Sequence, residues 1–212
     1  IYRPIDGEKL YEDSLQKPIN PYGNTKITIE KILDDLYKSN KHKWKIINLR
    51  YFNPVGAHDS GLIGEEPLNE PSNLFPIIEN VVLGKTKKLF IYGNDWPTLD
   101  GTCVRDYIHI MDLSEAHYAA LKYLTKNKPQ NISINIGTGN GLSVLEIVKA
   151  YSRVNNIDLP FDFADRREGD ASYVVADNTL ALKLLNWQAT KSLEDICRDS
   201  YRYVKNKLSL KN

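Results

Sequence analysis

Tyr22 and Lys26 lie four positions apart just inside what reads as a helix start, so both side chains leave one helical face a single turn apart. Their chemistry can be coupled. A tyrosine hydroxyl ionises only near pH ~10 and is a poor base at neutrality, but an ammonium close by favours the phenolate. Such a pair can exchange a proton with a substrate hydroxyl. Taken alone it is also common on ordinary amphipathic helices, so its surroundings must decide. A second cluster, Gly137, Gly139 and Gly141, sits between an apolar strand pattern and a capped helix, the context of a dinucleotide-binding turn. Its spacing fails. That fingerprint puts its third glycine three positions after the second, where this chain has Leu142. A tight strand-to-helix turn is expected instead. Arg105-Asp106, read in isolation, is a solvated ion pair. His58 and His109 stand in no ligand-like cluster and read as structural, with no metal site.

The elements that must hold these residues alternate between helical and extended patterns. Asn20-Pro21 gives an N-cap and a proline at the first helical position, followed by Ile29, Ile32, Leu33 and Leu36 at helical spacing. Trp44 to Phe52 reads as a buried strand that enters a long glycine-bearing loop at Asn53-Pro54. A short helix is expected around Leu74 to Leu83, an extended run at Leu89 to Tyr92, and a polar loop from Gly93 to Thr102. Tyr107, Ile108 and Ile110 read as a strand, Asp112 as the cap of the next helix, and Ile132 to Ile136 as another strand. Ser143 with Glu146 forms a capping box, and Ser192 with Asp195 resembles a second. The polar segment Asp165 to Ser172 is expected to separate a C-terminal portion. This alternation predicts an α/β fold with a largely parallel sheet.

Composition narrows the partners. The 212 residues carry 28 Lys plus Arg against 27 Asp plus Glu, a net charge of +1, which gives no bulk attraction for nucleic acid or an anionic membrane. With 42% hydrophobic residues the chain can build a core. Cys103 and Cys197 lack the spacing of a metal module or disulfide scaffold and are expected as free thiols in a reducing compartment, which points to the cytoplasm. No apolar stretch approaches the ~18 residues of a membrane span. The chain starts at Ile1, and its native N-terminus is expected to be missing.

Asn20-Pro21-Tyr22-Gly23-Asn24-Thr25-Lys26 resembles the active-site helix of extended short-chain dehydrogenases/reductases that act on nucleotide sugars. Four further strings are similar to the UDP-glucose 4-epimerase family, in order. They are Tyr51-Phe52-Asn53-Pro54-Val55-Gly56-Ala57-His58 followed by Gly64-Glu65, then Ser72-Asn73-Leu74-Phe75-Pro76, the run from Asp100 to His109, and Arg166-Arg167-Glu168-Gly169-Asp170. Together they cover nearly the whole chain. The resemblance implies the C-terminal part of a Rossmann-like doubly wound parallel sheet plus a smaller α/β substrate-binding domain. Residues 1–60 would belong to the NAD-binding part and 61–212 mainly to the UDP-sugar-binding part, with some segments returning to the Rossmann sheet.

The same resemblance implies an isomerase of galactose metabolism with NAD as cofactor. A hydride leaves C4 of the sugar while Tyr22 takes the hydroxyl proton, and the 4-keto sugar turns over before the hydride returns. Lys26 would bond the nicotinamide ribose and favour the phenolate, and Phe52 would border the nicotinamide. Arg105 and Arg167 match diphosphate-binding arginines, and Asp170 matches the acid on the uridine ribose. Asn53, Asn73 and Leu74 match positions at the phosphates and sugar, while Phe90, Ile91 and Tyr92 match the strand beside the uracil. Val174 falls where many relatives carry a larger side chain lining the sugar pocket. The family's glycine-rich phosphate loop, ribose-binding acid and tyrosine-partnering serine or threonine are expected upstream of Ile1, leaving the isolated piece inactive. The family resemblance also allows a homodimer of the intact protein. The alternatives are a nucleotide-sugar dehydratase or decarboxylase, for which Asn20 and Pro21 supply no acid–base carboxylate, and a non-catalytic nucleotide-sugar-binding fragment.

Overall fold

A computed structural model describes residues 1–18 and 20–209. A short strand, β1 (Lys9–Leu10), precedes helix α1 (Pro21–Ser39). The Asn20 side chain accepts from the Gly23 N–H at 2.8 Å and Pro21 opens the helix, where a missing N–H costs nothing. Two strands follow, β2 (Lys45–Tyr51) and β3 (Asn53–Val55), so the loop expected after Asn53-Pro54 begins later. Helix α2 (Leu74–Val82) and β4 (Leu89–Tyr92) come next, then β5 (Val104–Arg105) and β6 (Tyr107–His109). Helix α3 (Ile110–Lys126) leads to β7 (Gln130–Ile136), β8 (Leu142–Ser143) and α4 (Val144–Asn155). The chain closes with β9 (Phe161–Ala164), β10 (Tyr173–Ala176), α5 (Thr179–Leu185) and α6 (Leu193–Ser209).

The fold is α/β with strands paired mostly in parallel. β2 runs beside β7 from Lys45↔Gln130 to Tyr51↔Ile136, β3 beside β6, and β4 beside β9, all parallel. A fourth sheet has the order β1-β10-β5-β8, in which only β5 and β8 are antiparallel. Parallel partners need a crossover between them, and helices supply most of it. Two apolar cores result. One gathers Phe75, Ile78, Leu89, Ile91, Ile147 and Tyr151 between α2, β4, α4 and α6. The other gathers Ile108, Leu113, Ala116, Ile134, Ile136 and Trp187 around β7, α3 and α5. Tyr107 enters the first and Ile108 the second, because consecutive residues of a strand face opposite ways. β6 is therefore the wall between them.

Three expectations change. Ile110 lies in α3, and the cap is His109, whose Nδ1 accepts from the Met111 N–H at 3.0 Å. Asp112 is turned inward, where it accepts from the Thr190 and Lys191 N–H groups at 3.1 and 2.9 Å and from the Thr190 hydroxyl. Asp165 to Ser172 does not separate a C-terminal portion: it is a loop between β9 and β10, which pair with β4 and with β1 and β5. Both capping boxes form, with Ser143 Oγ accepting from Glu146 N at 3.0 Å and Ser192 Oγ from Asp195 N at 3.1 Å. Cys103 and Cys197 are buried free thiols.

Candidate functional site

The first turn of α1 presents Tyr22 to solvent at 69% exposure, with the Lys26 ammonium 4.9 Å from its ring centroid. Gly23 between them is buried, and an added Cβ would stand 2.6 Å from Pro18 Cβ, so the helix start lies directly on the preceding chain. Farther along, Glu30 receives a paired hydrogen bond from Arg50 of β2, at 2.7 and 2.6 Å. Arg50 Nη1 also donates to the Tyr2 hydroxyl and to Glu12 O, both at 2.8 Å. Burial pushes the Tyr2 phenol up to about 12, so it stays a neutral bridge to Asn135 Oδ1 at 2.5 Å. This network fixes α1 on the sheet.

A cationic cluster forms where the β9–β10 loop meets the ends of β4 and β5. Asp170 lies between two guanidinium groups, 3.7 Å from Arg105 Nη2 and 3.5 Å from Arg167 Nε. Arg105 Nη1 donates to Val104 O and Ala171 O at 2.9 and 2.8 Å, which orients the side chain. Arg167 lies over the Tyr92 ring at 4.3 Å and reaches Ser72 O at 3.4 Å. Within these three residues two positive charges face one negative, and each fork keeps unspent donors. The arrangement suits an anion with several oxygens. Arg105 does not pair with Asp106 as a solvated dipeptide: its side chain is only 16% exposed, and Asp106 is fully buried.

The remaining predicted positions divide around this cluster. The Asn53 N–H donates to Asp106 O at 3.0 Å, which sets the end of β2 and half-buried Phe52 beside the Arg105 strand. Val174 is half-buried and registers with Arg105 across β10 and β5. Asn73 is exposed and its amide reaches Glu65 Oε1 at 3.4 Å, whereas half-buried Leu74 packs on the first core. On β4, Phe90 is exposed and Tyr92 half-buried, but Ile91 points into the core, so only its backbone can meet a ligand. Cys103 lies near Arg105 and Asp170, yet burial raises its thiol above the ordinary range, away from the reactive thiolate.

Asp106, which the sequence offers only as a solvated partner of Arg105, is buried. Its carboxylate accepts from Thr138 N, Thr138 Oγ1, Gly139 N and Ala176 N at 2.8, 2.7, 3.0 and 3.2 Å. Two N–H groups of the 137–141 turn, those of Thr138 and Gly139, are therefore taken by Asp106, and that of Asn140 donates to Thr138 Oγ1 at 3.0 Å. Gly139 holds φ +75, and Cβ atoms on Gly137 and Gly141 would collide with Asp106 and Val104. The turn is structural. His109 is likewise buried, its Nε2 3.3 Å from Asp199 Oδ2 with no hydrogen-bond partner of good geometry, and burial holds the ring below its ordinary value. Among the described residues no group of His, Cys, Asp and Glu could hold a metal ion, and no helix is long and apolar enough to cross a membrane.

Residues 5–200 match the family described as GDP-mannose 4,6 dehydratase. The chain belongs to that family. Within it, the chain is 45% identical over 203 residues to a UDP-glucose 4-epimerase of Bacillus subtilis, covering 96% of this chain and 59% of the relative. It is 48% identical over 195 residues to UDP-glucose 4-epimerase 2 of Arabidopsis thaliana, covering 92% of this chain and 55% of the relative. The fold is similar to a crystal structure of the UDP-glucose 4-epimerase of Stenotrophomonas maltophila with bound NAD and formylated UDP-arabinopyranose, at TM-score 0.92 and 41% identity, covering 97% of this chain and 61% of that one. The chain thus spans a little over half the length of these family members and resembles their UDP-glucose 4-epimerase branch.

Proposed function

We propose that the intact protein interconverts UDP-galactose and UDP-glucose by NAD-dependent inversion at C4, with this chain supplying the proton acceptor and the UDP-sugar site. The observation that carries the reading is the convergence of Arg105 from β5 with Arg167 and Asp170 from the β9–β10 loop, on a fold that also presents Tyr22 and Lys26 together. Arg105 and Arg167 neutralise the diphosphate, and Asp170 accepts from the uridine ribose hydroxyls. The β4 strand, Phe90 to Tyr92, flanks the uracil, while Asn53, Asn73 and Leu74 border the phosphates and sugar. Tyr22 removes the proton from the C4 hydroxyl and later returns it. A charge developing on that oxygen is stabilised by the neighbouring Lys26 ammonium.

The residues present fit one end of NAD. Exposed Tyr22 and Lys26 suit the nicotinamide ribose, and Phe52 the ring, whereas the 137–141 turn does not fit the pyrophosphate because Asp106 places its carboxylate on the Thr138 and Gly139 N–H groups. When bound, NAD supplies the acceptor and donor of the hydride. In this reading the protein works in cytoplasmic galactose metabolism and can pair as a homodimer, with residues 1–60 on the cofactor side and 61–212 mainly on the substrate side.

The test joins this chain to the N-terminal part of the Bacillus subtilis relative and supplies UDP-galactose and NAD. UDP-glucose should form without net reduction of NAD. A dehydrated keto-sugar product would favour the dehydratase alternative, and UDP-sugar binding without any turnover would favour a non-catalytic binding protein.

A further inference from the structure

Two arginines stand side by side in the loop between β9 and β10, and they are used differently. Arg167 faces Asp170 and Arg105. Arg166 turns to the loop after β4, where its guanidinium lies 4.0 Å from the Trp96 ring centroid and donates to Asp95 Oδ1 and Asp95 O at 2.7 and 2.6 Å. The Trp96 indole N–H reaches back to Tyr92 O at 3.4 Å, and Tyr92 is the ring beneath Arg167. Each arginine therefore rests on one aromatic side chain, and the two aromatic residues are tied to each other.

The loop that carries Trp96 is held firmly. Trp96 N donates to Gly101 O at 3.0 Å, and Gly101 adopts φ +78 where a side chain would run into Asn94 O. Asp100 accepts from Thr102 N and Thr102 Oγ1 at 2.9 and 2.7 Å, and from Ser143 Oγ at 2.5 Å. At the other end of the β9–β10 loop, Arg105 holds Ala171 O. Asp95 is largely exposed, and an exposed ion pair contributes little to stability. Its contact with Arg166 is instead a geometric constraint, reinforced by stacking.

We propose that Asp95, Trp96 and Arg166 form a positioning clamp that presents Arg167 and Asp170 to a nucleoside diphosphate before it arrives. Binding then loses less to ordering the loop. The clamp rests on the proposed UDP-sugar site but assigns residues outside it. Its effect belongs to affinity and not to the chemical step.

The test titrates UDP into the 212-residue chain by calorimetry, comparing the parent with Trp96→Ala, Trp96→Tyr, Arg166→Gln and Arg167→Ala. Trp96→Ala and Arg166→Gln should each weaken UDP about 3- to 30-fold, the range a cation–π contact spans. Trp96→Tyr keeps a ring and should recover most of the affinity, a rescue that general loosening would not give. In the joined protein the same two losses should raise KM for UDP-galactose and leave kcat within about twofold of the parent. Trp96→Ala can disturb its own loop, whereas Arg166→Gln changes a side chain already 40% exposed, so the clamp stands only if both weaken binding. Parental affinity in Arg166→Gln, with UDP lost in Arg167→Ala, overturns the clamp and leaves the site. No UDP binding by the parent overturns the site and the clamp with it.

Discussion

At the scale of single residues, the proposed proton transfer rests on two side chains one helical turn apart. Tyr22 and Lys26 announce themselves by a spacing of four, and their contact at 4.9 Å follows from the helix. Lys26→Ala in the joined protein should lower kcat about 10²–10³-fold, because it removes the ammonium that faces the charge developing in the transition state. A kcat within a few-fold of the parent would mean that the two groups act independently. Val174 carries a second prediction. If half-buried Val174, in register with Arg105, lines the proposed sugar site, its small side chain admits a bulkier sugar substituent, so the joined protein should accept UDP-N-acetylgalactosamine as well as UDP-galactose. Val174→Tyr should abolish the first activity selectively, since overpacking costs about 1–3 kcal/mol or more. Equal losses on both substrates would remove Val174 from the pocket wall. Asp106 was illegible because its four donors come from residues 32 and more positions away, and an Arg-Asp dipeptide looks the same whether solvated or buried.

At the scale of elements, what could be read was set by local signals and what could not was set by pairing. The caps of α1, α4 and α6 come from side chains within three residues of the helix start, which is why they were legible. β10 and β1 each have few residues and depend on distant partners, and His109 displaces Asp112 as the α3 cap because Asp112 is claimed by Thr190 and Lys191. Helix α2, whose N-cap Asn73 faces the loop site, carries a buried carboxyl at Glu79 that accepts from Ser200 Oγ at 3.1 Å. Burial pushes Glu79 from 4.5 up to about 7. Below pH 4.5 it is protonated whether folded or unfolded and makes no difference to stability. Between 4.5 and about 7 the unfolded chain has released the proton that the folded chain still holds, so stability falls as pH rises. Above that window the loss is complete, about 3 kcal/mol. Glu79→Gln should therefore stabilise the chain in urea at pH 8 and change little at pH 4.5. The same gain at both would show that ionisation is not the cause. Gly137→Ala should cost about 1–3 kcal/mol in the same experiment, since its Cβ would lie 2.5 Å from Asp106 Oδ2. Parental stability in that variant would mean that the turn yields freely.

At the scale of the whole molecule, strands from the first sixty residues pair with strands from the rest, so α1 and the arginine cluster are joined through a continuous backbone: β2 to Asn53, and Asn53 N–H to Asp106 beside Arg105. The α/β class was readable from alternation alone, whereas this route was not, because parallel register is fixed by crossovers and not by neighbours in sequence. The chain by itself should retain no NAD through purification, given that Asp106 holds the Thr138 and Gly139 N–H groups of the glycine turn; stoichiometric NAD in the purified chain would locate a pyrophosphate site elsewhere in it. The central claim is that Tyr22 moves the proton, and it is met most directly by the kinetics of Tyr22→Phe in the joined protein acting on UDP-galactose. Loss of the hydroxyl removes the base but little binding surface, so kcat should fall by about 10²–10⁴-fold with KM within a few-fold of the parent. A kcat within a factor of a few of the parent would contradict it and hand the proton to another group.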